Sequence, residues 1–133
     1  MSYYDINFNV LVGKTLKAVH VSDTDSTITF TVDDEESYVM QHDQDCCEHV
    51  YVESIVGDLN DLIGSPIVQA EESSSDKDPE DVKTEEVDGY GDGSQTWTFY
   101  RLATVKGSVV IRWYGSSNGY YSESVSFTKL GGN

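Results

Sequence analysis

The chain has 133 residues, with 24 acidic against 8 basic side chains and a net charge of −16. That length fits one domain with a real core, and no apolar run approaches the ~18 residues of a membrane-spanning helix. The charge also argues against direct nucleic-acid binding, because phosphate affinity needs clustered positive groups.

Residues 1–70 carry 13 acidic and 2 basic side chains, and residues 71–94 carry 10 and 2. Residues 95–133 reverse the balance with 1 acidic group against Arg101, Lys106, Arg112 and Lys129. This pattern suits an acidic surface that meets a basic partner, or a local cationic pocket near the C-terminus; solubility alone also accounts for an acidic excess. Met1-Ser2-Tyr3-Tyr4-Asp5 has neither the basic nor the apolar region of a secretory signal. Adjacent Cys46 and Cys47 do not form a stabilising disulfide framework. A cytoplasmic protein is the expectation.

In chain order, Gly13 to Ser22 alternates as a strand, with Leu16, Ala18 and His20 on one face. Thr27 to Val32 follows the turn-forming Asp23-Thr24-Asp25-Ser26, and Ser37 to His42 follows Asp33-Asp34-Glu35-Glu36. Val50 to Ile55 reads as a fourth strand. Asp58 to Ile63, ended by Gly64, reads as a capped helical turn or two that Pro66 stops. Ile67 to Glu71 resumes as strand. Residues 72–94, with Ser73-Ser74-Ser75, alternating acids and three glycines, read as a flexible acidic loop. Thr96 to Thr104, Ser108 to Tyr114 and Tyr120 to Lys129 complete the strands. The expected fold is mainly β, with one or two short helices: a single domain forming an antiparallel sandwich or barrel-like sheet with C-terminal hairpins.

Asn118-Gly119 is a strong signal for a two-residue hairpin turn, since both positions of a type I′ turn need positive φ. A tight turn there pairs Tyr114 with Glu123 and Arg112 with Val125. Arg112, Tyr114, Tyr121 and Glu123 then share a face, with Arg112 and Glu123 as diagonal neighbours suited to an ion pair. Cross-strand packing accounts for such a set. The same side chains, with Asn118 and Tyr120, also suit ligand binding: a guanidinium for a phosphate or carboxylate and aromatic rings to stack on a base.

A second cluster, His42, Asp43, Asp45, Cys46, Cys47 and Glu48, packs several metal-ligand types together. Its spacing is poor for zinc, which needs looped separations such as C-x₂-C, so no metal or other cofactor is expected. A thiolate nucleophile beside His42 or His49, with Asp45 as orienter, is the enzymatic reading. The plainer reading is a strand end entering a tight turn, with the cysteines as small buried residues.

The segments His42-Asp43-Gln44-Asp45-Cys46-Cys47-Glu48, Gly57-Asp58-Leu59-Asn60-Asp61-Leu62-Ile63-Gly64 and Ala70-Glu71-Glu72 resemble a family of small uncharacterised tailed-phage proteins. So do Trp97 to Gly107 and Arg112 to Val125. The resemblance covers about residues 11 to 128 and implies a phage accessory protein acting in the host bacterial cytoplasm, with no catalytic roles to carry over. Proteins of that kind commonly disarm host defences. The leading expectation is a non-catalytic inhibitor whose acidic surface competes for the basic cleft of a host defence nuclease. A sponge that captures a nucleotide immune signal in the aromatic hairpin is the second form. A hydrolase of such a signal, using the cysteine segment, is the alternative from another class. Free strand edges permit a homodimer without requiring one.

Overall fold

The computed structural model describes residues 6–33, 35–42, 47–75, 94–117 and 123–130. Eight strands form two antiparallel four-stranded sheets, a sandwich rather than a closed barrel. The first sheet contains β1 (Ala18–Val21), β2 (Thr27–Thr31), β3 (Ser37–Gln41) and β8 (Ser126–Leu130), in the order β1-β2-β3-β8. The second contains β4 (His49–Val56), β5 (Gln69–Ser75), β6 (Ser94–Thr104) and β7 (Gly107–Ser117), in the order β4-β7-β6-β5. Two meanders, β1-β2-β3 and β5-β6-β7, are each completed by a strand that crosses from the other sheet.

Alternation explains why these segments pair and which face each buries. Ile28 and Phe30 of β2, Tyr38 and Met40 of β3, and Phe127 of β8 point inward from the first sheet. Val109, Ile111 and Trp113 of β7, with Tyr100 and Leu102 of β6, answer them from the second. The Trp113 indole N–H donates to the Met40 sulfur across the gap at 3.1 Å. A 3-10 turn over Phe8–Leu11, capped by Asn7, closes one end. Its Phe8 ring lies edge-on to Phe30 and Phe127 of one sheet and to Tyr100 of the other, with centroids 4.7 to 6.2 Å apart. Such edge-to-face pairs add to the burial of apolar area. Sequence periodicity missed this turn because one buried aromatic in a four-residue segment makes no pattern.

Most strands lie where the sequence reading put them, and the turn after Asp58 is a 3-10 turn over Leu59–Leu62. Three details differ. Leu16 is buried, but the chain bends at Lys17 and β1 begins only at Ala18, so Ala18 and His20 are exposed and Val19 and Val21 turn partly inward. Glu72 to Ser75 belong to β5 rather than to the acidic loop, because β6 supplies pairing partners as far as Trp97.

The largest difference is the C-terminal hairpin. β7 pairs with β4 on one edge and β6 on the other, and β8 pairs with β3 in the opposite sheet. The strands flanking Asn118-Gly119 are therefore not hydrogen-bonded to each other as a ladder. Asn118, Tyr120 and Tyr121 themselves lie outside the described residues.

Gly57 turns the chain out of β4 with φ of +111°. A Cβ there would collide with the Ser108 carbonyl oxygen of β7. Gly57→Ala should therefore cost at least about 2 kcal/mol, combining left-handed strain with a backbone clash. Urea unfolding should show a lowered midpoint at unchanged m-value; a midpoint equal to wild type would mean that this turn relaxes freely.

Candidate functional site

The chain crosses between sheets twice, after β3 and after β7, and residues from both sequence clusters meet where the crossings approach each other. His42 follows β3, and its side chain is 4 % exposed. Its Nδ1 lies 2.6 Å from the Ser124 carbonyl oxygen, on the second crossing. Its Nε2 lies 2.6 Å from the carboxylate of Glu48, which precedes β4 and is fully buried. Both ring nitrogens thus face oxygens: Nδ1–H donates to the carbonyl, and Nε2 is hydrogen-bonded to the Glu48 carboxyl group. One imidazole binds the two crossings together.

Glu123 lies beside this group, on the second crossing. It is 8 % exposed, and its carboxylate accepts from Thr96 Oγ1 at 2.7 Å and from the Ser117 hydroxyl. It fits because Gly115 has no side chain: a Cβ at Gly115 would lie 2.9 Å from Glu123 Cβ and 3.3 Å from Val50 Cγ2. Burial with two hydroxyl donors satisfies this carboxylate internally.

Arg112 does not meet Glu123. Its Nε lies 2.9 Å from Glu53 Oε1. The register skips Glu53 between Val52 and Ser54, and this bulge in β4 brings the carboxylate beside Arg112 on the outer face of the second sheet. Tyr114 is also on that face, but buried, with its ring centroid 5.3 Å from Trp97 and 5.7 Å from Tyr51. Arg112 and Tyr114 therefore sit on one outer face and Glu123 at the sandwich end. Among the described residues, Arg112 and Tyr114 do not share a face with Glu123, because β7 is already paired on both edges.

Of the second cluster, Asp43, Asp45 and Cys46 lie outside the described residues. Cys47 is exposed rather than a small buried residue. It is disulfide-bonded. A disulfide sulfur lacks the free thiolate that the nucleophile reading requires. Among the described residues, no group of three or more His, Cys, Asp or Glu side chains is arranged to hold a metal ion. No helix among them is long and apolar enough to cross a membrane.

Sequence reasoning missed a third cluster, at the cleft beside the Phe8 turn. Lys14 Nζ lies 2.7 Å from Glu36 Oε2, which also accepts from the Tyr38 hydroxyl. Lys129 pairs in register with Tyr38 on the neighbouring strand. The Lys14 hydrogen bond, followed by that from Tyr38, holds the Glu36 carboxyl below its usual range. Burial, and then the Glu36 carboxylate, push the Tyr38 phenol well above its usual value. These four residues span 115 positions of sequence, and no local spacing could have joined them.

Residues 9–127 match the family model described as a domain of unknown function, DUF7448. No curated protein and no solved structure matches the chain.

Two outcomes follow from this geometry. His42→Ala would leave Glu48 buried without its partner, a change that typically costs roughly 3–5 kcal/mol. It should also lower amide protection at residues 123–125 in hydrogen exchange; unchanged stability and protection would show that His42 does not hold the crossings. For Glu36, a lowered folded pKa means that its contribution is present above the ordinary value of 4.5 and is lost as pH falls through the lowered one. The stability gap between wild type and Glu36→Gln should be full at neutral pH and close on acidification. A gap constant down to pH ~3 would refute the assignment.

Proposed function

The chain belongs to the DUF7448 family, and we propose that it acts as a non-catalytic binder whose acidic surface occupies a basic, nucleic-acid-binding cleft of another protein. In the biological setting implied by the resemblance to tailed-phage proteins, the partner is a host defence nuclease, such as a CRISPR or restriction effector, and the site of action is the host cytoplasm. The observation that carries this reading is the placement of the carboxylates. Asp23 and Asp25 in the β1–β2 turn, Asp33 and Glu35 in the β2–β3 turn, and Glu71 and Glu72 on edge strand β5 are all exposed. They lie on a scaffold of net charge −16. Exposed carboxylates attract a positively charged partner and raise the association rate.

The internal bonding of the other clusters supports the same reading. The carboxylates of Glu48 and Glu123 meet imidazole and hydroxyl groups of this chain, and Arg112 meets Glu53. The nucleotide-sponge reading drew on a shared face for Arg112, Tyr114 and Glu123, and it loses that support.

Immobilised protein should retain a basic protein from host lysate and release it at moderate salt, since exposed charge contacts are screened over about 8 Å at physiological ionic strength. Purified partner should then bind at least about tenfold more weakly to a variant combining Asp33→Asn, Glu35→Gln, Glu71→Gln and Glu72→Gln. Binding that ignores both salt and these substitutions would overturn the proposal. Native mass spectrometry showing instead a small molecule that leaves on denaturation would favour the sponge.

A further inference from the structure

We propose that the cleft beside the Phe8 turn is a binding site for the phosphate group of a small molecule, independent of the acidic surface. The cleft is open to solvent, with a volume of about 620 Å³, within the roughly 300–1,000 Å³ of small-molecule sites. Its walls include Ile6, Asn7, Asn9, Lys14, Tyr38 and Lys129.

Lys129 carries the argument. The β3–β8 register places it opposite Tyr38, just as Phe127 is opposite Met40, so it occupies an inward-facing position of β8. Phe127, Met40 and Tyr38 on that face are core residues. An ammonium at such a position has to reach the open end of the sandwich to stay hydrated. It arrives there beside Lys14, which comes from the segment after the 3-10 turn, so two separate elements deliver cations to one cleft.

Among the described residues, the one carboxylate lining the cleft does not pair with both. Glu36 bonds Lys14 and the Tyr38 hydroxyl, whereas Lys129 acts on Glu36 only through space. No ion pair within 4 Å involves Lys129 among the described residues. In a chain of net charge −16, the described residues lining this cleft include two ammonium groups and one carboxylate. Asn7 spends its side-chain oxygen on the Asn9 N–H, which leaves its amide NH₂ as a further donor.

The donor chemistry selects phosphate. Lysine ammoniums are compact point charges without the planar fork that grips a carboxylate in two places. A tetrahedral phosphate presents oxygens in several directions and can meet ammoniums arriving from two elements. Ile6 and Val10 supply an apolar wall for the remainder of a phosphate ester.

The test is an NMR titration of the full chain with inorganic phosphate at a constant ionic strength of about 0.15 M, where remote acids are screened beyond roughly 8 Å. Saturable shifts at the Asn9, Lys14, Tyr38 and Lys129 amides are expected. Lys129→Gln and, separately, Lys14→Gln should each weaken binding about tenfold, the loss expected for a hydrogen bond to a charged group. Lys17→Gln, which removes the same charge outside the cleft, should leave affinity unchanged. Lys129 is exposed at a strand edge, so its variant should keep the wild-type spectrum away from the cleft. Three results would overturn the proposal: no saturation, equal weakening in the Lys17 and Lys129 variants, or undiminished binding by Lys129→Gln.

Discussion

The double pairing of β7 constrains everything around it. With β4 on one side and β6 on the other, its backbone donors and acceptors are committed, and the chain that follows cannot fold back as a hairpin partner. It has to leave the second sheet and pair with β3 in the first. The reverse crossing, from β3 to β4, follows from the same topology. Inter-sheet crossings are where a sandwich is most exposed to water and to unsatisfied polar groups. His42, Glu48, Ser117 and Glu123 lie at that weak point.

The resulting chemistry is cohesive. His42 bonds to both crossings, Glu48 accepts its second nitrogen, and Glu123 folds over Gly115 to accept from Thr96 and Ser117. A buried ion pair or carboxylate is weak evidence for net stability, since desolvation offsets much of the Coulomb gain, but removing one partner is costly. Such groups serve well to fix which segments meet. Here they specify the meeting of two connections that have no ladder between them. A concentration of imidazole, carboxylate and hydroxyl groups therefore marks a join in the fold as readily as a site.

Much of the scaffold was legible because strand alternation reports which face is buried. Val109, Ile111 and Trp113 share a face in the sequence pattern, and all three reach the core. The Asp58 cap and the short turn after it were equally local signals. Which strands pair is not local. Asn118-Gly119 gives a strong hairpin signal within a dozen residues, and it cannot register that β4, some 60 positions earlier, already holds the far edge of β7. Arg112 shows the consequence: its cross-strand neighbourhood comes from a bulge at Glu53, which the alternation of β4 does not reveal. The Lys14–Glu36–Tyr38–Lys129 cluster was invisible for the same reason, since its members meet only through the β3–β8 pairing and the return of the N-terminal segment.

Global and local electrostatics divide this molecule in a way that net charge alone conceals. The exposed carboxylates of the turns and of β5 set a far field that repels anions and draws basic surfaces, and its reach is limited to about a Debye length. Inside the cleft beside Phe8, the nearest charges outweigh that field because they act at contact distance and in a partly apolar setting. Lys14 is held there by Glu36, and the β3–β8 register sets where Lys129 leaves its strand. Preorganised charge costs less to use than charge that must be ordered on association. One scaffold can therefore present a broad acidic exterior to a large basic partner and a small cationic cleft to an anion.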